Sequence, residues 1–238
     1  MSDIDVITVA AWKGGVGKTT LAYELAYQLD AVLIDLDWDG GGASVAWGYR
    51  HEQRKRAPLL DALASESDKT PTPLSGGDRK PDLLPSHPDL AVLQPDPETV
   101  ADRISRWAAD WGRPVVVDTH PGGNDLTYGA MAASRVLVVP VMFGTKELNA
   151  LERMLGEVPD YPLLVVPNIV RAPSKPQRDR LRTLVEEAKV PVAPPVPYAF
   201  WIPYRRVRTA ITSEPIAKRA EEFTAQIRAV AEAVRQYS

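Results

Sequence analysis

Apolar positions along the chain fall into two interleaved patterns. Near-continuous β-rich runs recur at residues 5–11 (DVITVAA), 31–36 (AVLIDL), 90–94 (LAVLQ), 114–119 (PVVVDT), 135–141 (RVLVVPV), 161–168 (YPLLVVPN) and 190–196 (VPVAPPV). Between most of them, apolar residues return every three or four positions, as at Val100, Ile104, Trp107 and Trp111 or at Leu148, Leu151 and Leu155, which predicts helices. Strands apolar on both sides that alternate with helices predict an α/β fold, a mostly parallel twisted sheet with helices on both faces. Residues 50–89 break this rhythm. They are rich in Pro, Ser and charge with one short helical candidate around 59–64, and read as an irregular or mobile excursion from a single domain spanning 1–238. Near the end, Ile216, Ala220, Phe223, Ile227, Val230 and Val234 keep helical spacing, so a terminal helix docked on the sheet is expected.

Composition narrows the chemistry. The 238 residues are 45% hydrophobic, enough for a full core in one large domain. There is no Cys, which excludes disulfides, cysteine nucleophiles and cysteine-held iron–sulfur clusters, and the three His residues are too scattered for a histidine-built metal site. The opening MSDIDVITVAAW lacks the basic-then-apolar order of a signal peptide, so a cytoplasmic location is expected. The net charge of −3 hides an asymmetry: residues 1–119 carry net −7, whereas residues 171–219 carry 11 basic and 4 acidic side chains. A basic surface on an acidic protein is one reading of that stretch, and solvated helix faces are the other.

The segment AWKGGVGKTTLAYEL holds the main chemistry. GGVGKTT follows a β-run and precedes a helical pattern, the context of a phosphate-binding P-loop. Gly14, Gly15 and Gly17 let the backbone turn tightly beside an anion, with Val16 between them, and the amides of residues 15–19 point at it from a helix N-terminus. Lys18 is expected on the β- and γ-phosphates, Thr19 on Mg²⁺, and Thr20 on the α-phosphate. Asp118 ends a buried strand, the placement of a carboxylate that holds the magnesium hydration shell. Asp35 and Asp37 close another strand two residues apart, so both project to one face; one carboxylate can support the metal while the other orients water.

Lys13 with KGGVGKTT, then LIDLD, then VVVDTHPG together resemble the deviant Walker A ATPases of the ParA/MinD class, and most nearly the ParA-like partition ATPases. The resemblance implies a single P-loop NTPase domain that binds ATP and Mg²⁺. It implies that Lys13 reaches across a homodimer interface to the partner's nucleotide, that Asp37 orients the attacking water, and that Asp35 belongs to the metal shell. Asn168 and Pro197 are expected on the adenine. The chain departs from the family pattern at the switch segments: Trp38-Asp39 and a glycine run replace the usual Pro-Gln and Gly-Asn, and DTHPG has one Pro where a second is common.

Three readings share this site. In the first, a ParA-like ATPase with weak basal turnover dimerises with ATP and binds non-specific double-stranded DNA, so that it is nucleoid-associated. A centromere-binding ParB-like partner then stimulates hydrolysis, in plasmid or chromosome partition. The basic candidates are Arg171, Lys175, Arg178, Arg180, Arg182, Arg205, Arg206, Arg208, Lys218 and Arg219. A positioning ATPase for a non-DNA cargo is a variant of this reading. In the second, a MinD-like cycle on membranes needs a terminal amphipathic anchor, which RQYS does not supply, so no membrane partner is expected. In the third, an ATP-dependent metabolic ligase would need a substrate pocket that only the excursion at 50–89 could provide.

Overall fold

Six short strands form one fully parallel sheet in the computed structural model, which describes residues 5–40, 42–53, 57–65 and 69–237. They are β1 (Val6–Val9), β2 (Val32–Asp35), β3 (Asp82–Leu84), β4 (Val115–Asp118), β5 (Val136–Val141) and β6 (Leu163–Pro167), in the order β3-β2-β4-β1-β5-β6. The helices among the described residues are α1 (Lys18–Gln28), α2 (Ala43–Trp47), α3 (Pro58–Ala64), α4 (Pro97–Trp111), α5 (Asp125–Ala132), α6 (Thr145–Glu157), α7 (Lys175–Glu187) and α8 (Glu221–Gln236).

Alternation along each strand sorts the core into layers. Ile7, Leu33, Leu83, Val116, Val138 and Leu164 pack with α1 and α8 on one face. Their neighbours face the other way, where Val32, Ile34 and Val117 meet α3 and α4 while Val139 and Val165 meet α6 and α7. The predicted helical stripes are the buried ones: Val100, Ile104 and Trp107 in α4, and Leu148, Leu151 and Leu155 in α6. The terminal helix begins later than the spacing implies, at Glu221, with Ile216 in the preceding turn and Ala220 in a 3-10 turn.

Two strand assignments change. Residues 90–94 form no strand; Pro88–Ala91 is a 3-10 turn that buries Leu90 from a loop. The edge strand comes instead from inside the supposed excursion, where β3 pairs with β2 through Val32–Asp82, Leu33–Leu83 and Ile34–Leu84. Only three residues long and flanked by Pro81 and Pro85, it is too short for periodicity to reveal. Arg113 pins its start by pairing with Asp82 at 2.6 Å and Asp30 at 2.9 Å. Residues 190–196 run beside β6 but make only an isolated bridge, Val165 to Val192. Pro191, Pro194 and Pro195 lack the N–H groups that a regular ladder requires.

From β1 the chain crosses to β2 on one side, and from the neighbouring β5 it crosses to β6 on the other. Adjacent strands whose connections diverge leave a crevice at their C-terminal ends, which is where an open parallel sheet binds ligands.

Candidate functional site

The loop between β1 and α1 occupies that crevice. Gly15 (φ +79°) and Gly17 (φ +87°) hold left-handed conformations that only glycine adopts without strain. Gly17 has a second constraint, because a Cβ there would overlap the Asn168 amide. Asn168, buried at the end of β6, donates its Nδ2 hydrogen to the Val16 carbonyl at 2.8 Å, so it braces the loop from below. Lys18 opens α1 and is buried. Desolvation pushes its pKa down, against the pull of Asp118 and Asp37.

The carboxylates differ in how they are satisfied. Asp118 and Asp35 are register neighbours on β4 and β2, and both side chains are fully buried. Asp35 commits its oxygens to two backbone amides, Asp37 N–H at 3.0 Å and Ser44 N–H at 2.6 Å, which fastens the start of α2 to the strand end. Burial still outweighs those bonds and raises its pKa to about 6. Asp118 has no completed hydrogen bond at either oxygen, although the Thr19 hydroxyl stands close enough to favour its charged form. Burial first and Asp35 second push its pKa well above the carboxylate range. A buried carboxylate with no hydrogen bond completed at either oxygen, beside a hydroxyl at a helix N-terminus, has the chemistry of a cation ligand. Among the described residues no three His, Cys, Asp or Glu side chains cluster as a metal cage. Magnesium does not need one, since it keeps several waters and shares ligands with phosphates. The donors present fit that ion.

Asp37 lies half-buried at the rim. Burial raises its pKa, and the Asp39 N–H, His120 and Lys18 act against the rise. Lys13 follows the buried Trp12, whose indole donates to Glu157 of α6, and its own ammonium has no partner among the described residues.

A cavity of about 480 Å³ opens beside Thr19 and Thr20, walled by Tyr23 and Glu24 of α1, Val45 of α2 and the segment 205–209. Neither Asn168 nor Pro197 lines it. Pro197 forms a bridge with Val170 just past β6.

Sequence reasoning missed how α1 reaches this far segment. Glu24, almost fully buried, accepts the Ile211 N–H at 2.7 Å, the Thr212 N–H at 3.0 Å and the Thr212 hydroxyl at 2.8 Å. Tyr23 donates its hydroxyl to the Arg208 carbonyl at 2.8 Å. The available signal was a carboxylate lying between the buried Leu21 and Leu25 of an otherwise apolar helix face.

Nine of the ten basic candidates separate onto opposite sides of the sheet, and the tenth, Arg171, lies over Tyr198. Those of α7 accompany Leu181, Leu184 and Val185 on the α6 side, and several are already engaged. Arg180 pairs with Glu152 at 3.0 Å, Arg182 with Asp179 at 3.0 Å, and Arg178 donates to the Pro173 carbonyl. Arg205, Arg206, Arg208, Lys218 and Arg219 belong to the α1 and α8 side. Arg205 is half-buried facing Glu24, Arg208 donates to the Val45 carbonyl at 2.8 Å, and Arg219 lies over Trp201. The intervening loop exposes Tyr198, Phe200 (67%), Tyr204 (82%) and Val207, with Arg171 stacked on Tyr198 at 3.7 Å.

A parallel sheet with a glycine loop, an invading lysine and two strand-end aspartates defines a P-loop NTPase. The family model described as an AAA domain (AAA_31) matches residues 4–161, more than half of the chain. The chromosome partitioning protein ParA of Caulobacter vibrioides is 31% identical over 169 residues, 64% of this chain and 62% of that protein. The chain thus matches less than two thirds of that relative's length. The chromosome-partitioning ATPase Soj of Thermus thermophilus is 34% identical over 188 residues, 75% of this chain and 68% of its own. Among solved structures, an ATP complex of a Cyanothece McdA variant superposes with a TM-score of 0.79 at 17% identity, covering 100% of this chain and 97% of that one. The chain belongs to the AAA_31 family and, within it, to the ParA-like ATPases.

Proposed function

We propose that the protein is a Mg·ATP-dependent dimerising ATPase that binds DNA without sequence preference in its ATP state. We further propose that it serves chromosome or plasmid partition with a partner that stimulates hydrolysis. The observation that carries this reading is the buried, unpartnered Asp118 beside Thr19 and Lys18 at the mouth of the glycine loop. Such a constellation has a charge balance that a metal–triphosphate would complete. The relatives named for chromosome partitioning supply the biological setting.

In this mechanism the amides of residues 15–19 and the Lys18 ammonium bind the phosphates, and Thr19 and Asp118 hold the metal with Asp35 behind them. Magnesium, when bound, neutralises charge that develops on the phosphate oxygens. Asp37 orients a water for in-line attack on the γ-phosphorus and takes up its proton; the bond to the β–γ bridging oxygen breaks, releasing ADP and phosphate. Lys13, without a partner among the described residues, contacts the nucleotide of a second subunit and makes dimer closure depend on the γ-phosphate. Weak basal turnover suits a switch that waits for its partner. Asn168, on the floor of the loop, and Pro197 stand nearest the adenine side in this reading.

Exposed cations of the 205–219 segment, doubled by dimerisation, give DNA affinity that follows the nucleotide state. The test is binding to a random-sequence duplex by fluorescence anisotropy at two salt concentrations, with no nucleotide, ADP or ATP, for wild type and Lys13→Ala. Salt-sensitive binding with ATP alone, lost in Lys13→Ala, is the expected result. Absence of DNA binding in every state, with ATP-driven dimerisation intact, would redirect the reading to a non-DNA cargo.

A further inference from the structure

Two of the positions at which the chain departs from its family pattern touch each other. The indole of Trp38, just after Asp37, lies flat on the imidazole of His120, two residues beyond Asp118, with centroids 4.2 Å apart and planes 2° from parallel. His120 Nε2 also meets Asp39 Oδ2 at 3.0 Å. Both loops are otherwise tied to the site. Thr119 donates its hydroxyl to the Val9 carbonyl at 3.0 Å, and the Gly122 N–H reaches the Ala11 carbonyl at 3.2 Å, so the loop bearing His120 is fixed to the phosphate loop. On the other side, the Asp39 N–H donates to Asp37 Oδ1 at 3.2 Å, so whatever holds residues 38 and 39 also sets the direction of the Asp37 carboxylate.

We propose that Trp38 and His120 form an aromatic clasp that positions Asp37 for hydrolysis. The inference rests on the ATPase reading above. His120 supplies the platform, since its loop is anchored to the phosphate loop, and Trp38 lies on it. The stack carries more of the effect than the His120–Asp39 contact, because Asp39 is largely exposed and an exposed polar pair contributes little. Without the clasp the Asp37 loop samples other orientations, which lowers the fraction of bound complexes with water correctly aimed and leaves phosphate binding by the glycine loop intact.

The experiment compares kcat for Mg·ATP hydrolysis with the dissociation constant for a fluorescent ATP analogue, in wild type, Trp38→Ala, His120→Ala, the double variant and His120→Phe. Each alanine variant should lose about five- to ten-fold in kcat, inside the roughly two- to thirteen-fold span to which an aromatic pair's coupling corresponds, with affinity changed less than about two-fold. The double variant should be no worse than either single one, because both remove the same contact. His120→Phe keeps the stack and drops the contact with Asp39, and should return to within about three-fold of wild type. Normal kcat in both single variants, additive losses in the double one, or equal losses of affinity and kcat would each overturn the clasp while leaving the ATPase reading in place. A wild type without turnover would overturn both.

Discussion

The phosphate-loop end of the sheet and the basic stretch 171–219 both stand out in the sequence, yet folding treats them oppositely. At the first, two strand ends and the start of α1 bring Asp35, Asp118 and Lys18 from positions as far apart as 100 residues into one buried cluster. At the second, nine of ten cations close together in the chain are distributed to opposite sides of the sheet, some already neutralised by Glu152 and Asp179. Strand pairing is a fixed register with a fixed direction, so a residue at the end of a buried β-run has a determined place. Helix and loop charges have no such constraint, and their number says little about their common surface.

Four measurements would break or sharpen that contrast. Lys18→Ala, at the core of the first region, should reduce ATP affinity by about a hundred-fold or more and abolish turnover; near-normal hydrolysis in that variant would refute the site. Asp37→Ala should lower turnover by roughly 10²–10⁴-fold and accumulate an ATP-bound dimer, visible by light scattering, whereas a monomer in ATP would count against its assigned role.

The third concerns the acid held inside the cluster. The folded state raises the Asp35 pKa from 3.8 to about 6, so the native protein binds its proton more tightly than the unfolded chain does. Stability is then unpenalised below the unfolded value and declines as pH rises from about 4 to about 6. Relative to Asp35→Asn, nucleotide-free wild type should lose on the order of 2–3 kcal/mol across that window in denaturant titrations. A pH-independent difference between the two would show that folding does not raise the Asp35 pKa.

The smallest effects belong to the second region. Removing one exposed cation of the 205–219 segment, as in Arg206→Ala or Lys218→Ala, should weaken DNA binding about three- to ten-fold and reduce the salt slope by about one. Arg180→Ala and Arg182→Ala, whose partners are already on the protein, should change neither. Equal losses in the two sets would mean that both sides of the sheet meet the duplex.

The legible parts of the molecule were those that repeat or that sit at the end of something regular. Strands flanking Val9, Asp35 and Asp118 announced themselves through length and apolar continuity, and the glycine spacing at 14–17 fixed the loop. The edge strand at Asp82–Leu84 was hidden because three residues between prolines carry no period. The grip of Glu24 on Ile211 and Thr212 and the contact of Trp38 with His120 join residues 82 to 188 positions apart, and no local pattern encodes such meetings. Composition likewise could not divide the cations, since Arg182 and Arg206 look alike until their surroundings are known.

That grip of Glu24 has a consequence for timing. Amide protons of loop residues ordinarily trade with solvent quickly, but those of Ile211 and Thr212 are held by a carboxylate on the very helix that begins at the phosphate loop. Their isotope-exchange clock should therefore run at the pace of α1 rather than of the exposed loop beside them, and should slow when a nucleotide quiets that helix. A surface remote in the chain would thus keep time with the site, and Glu24→Gln, by weakening the grip on those two amides, would let it drift.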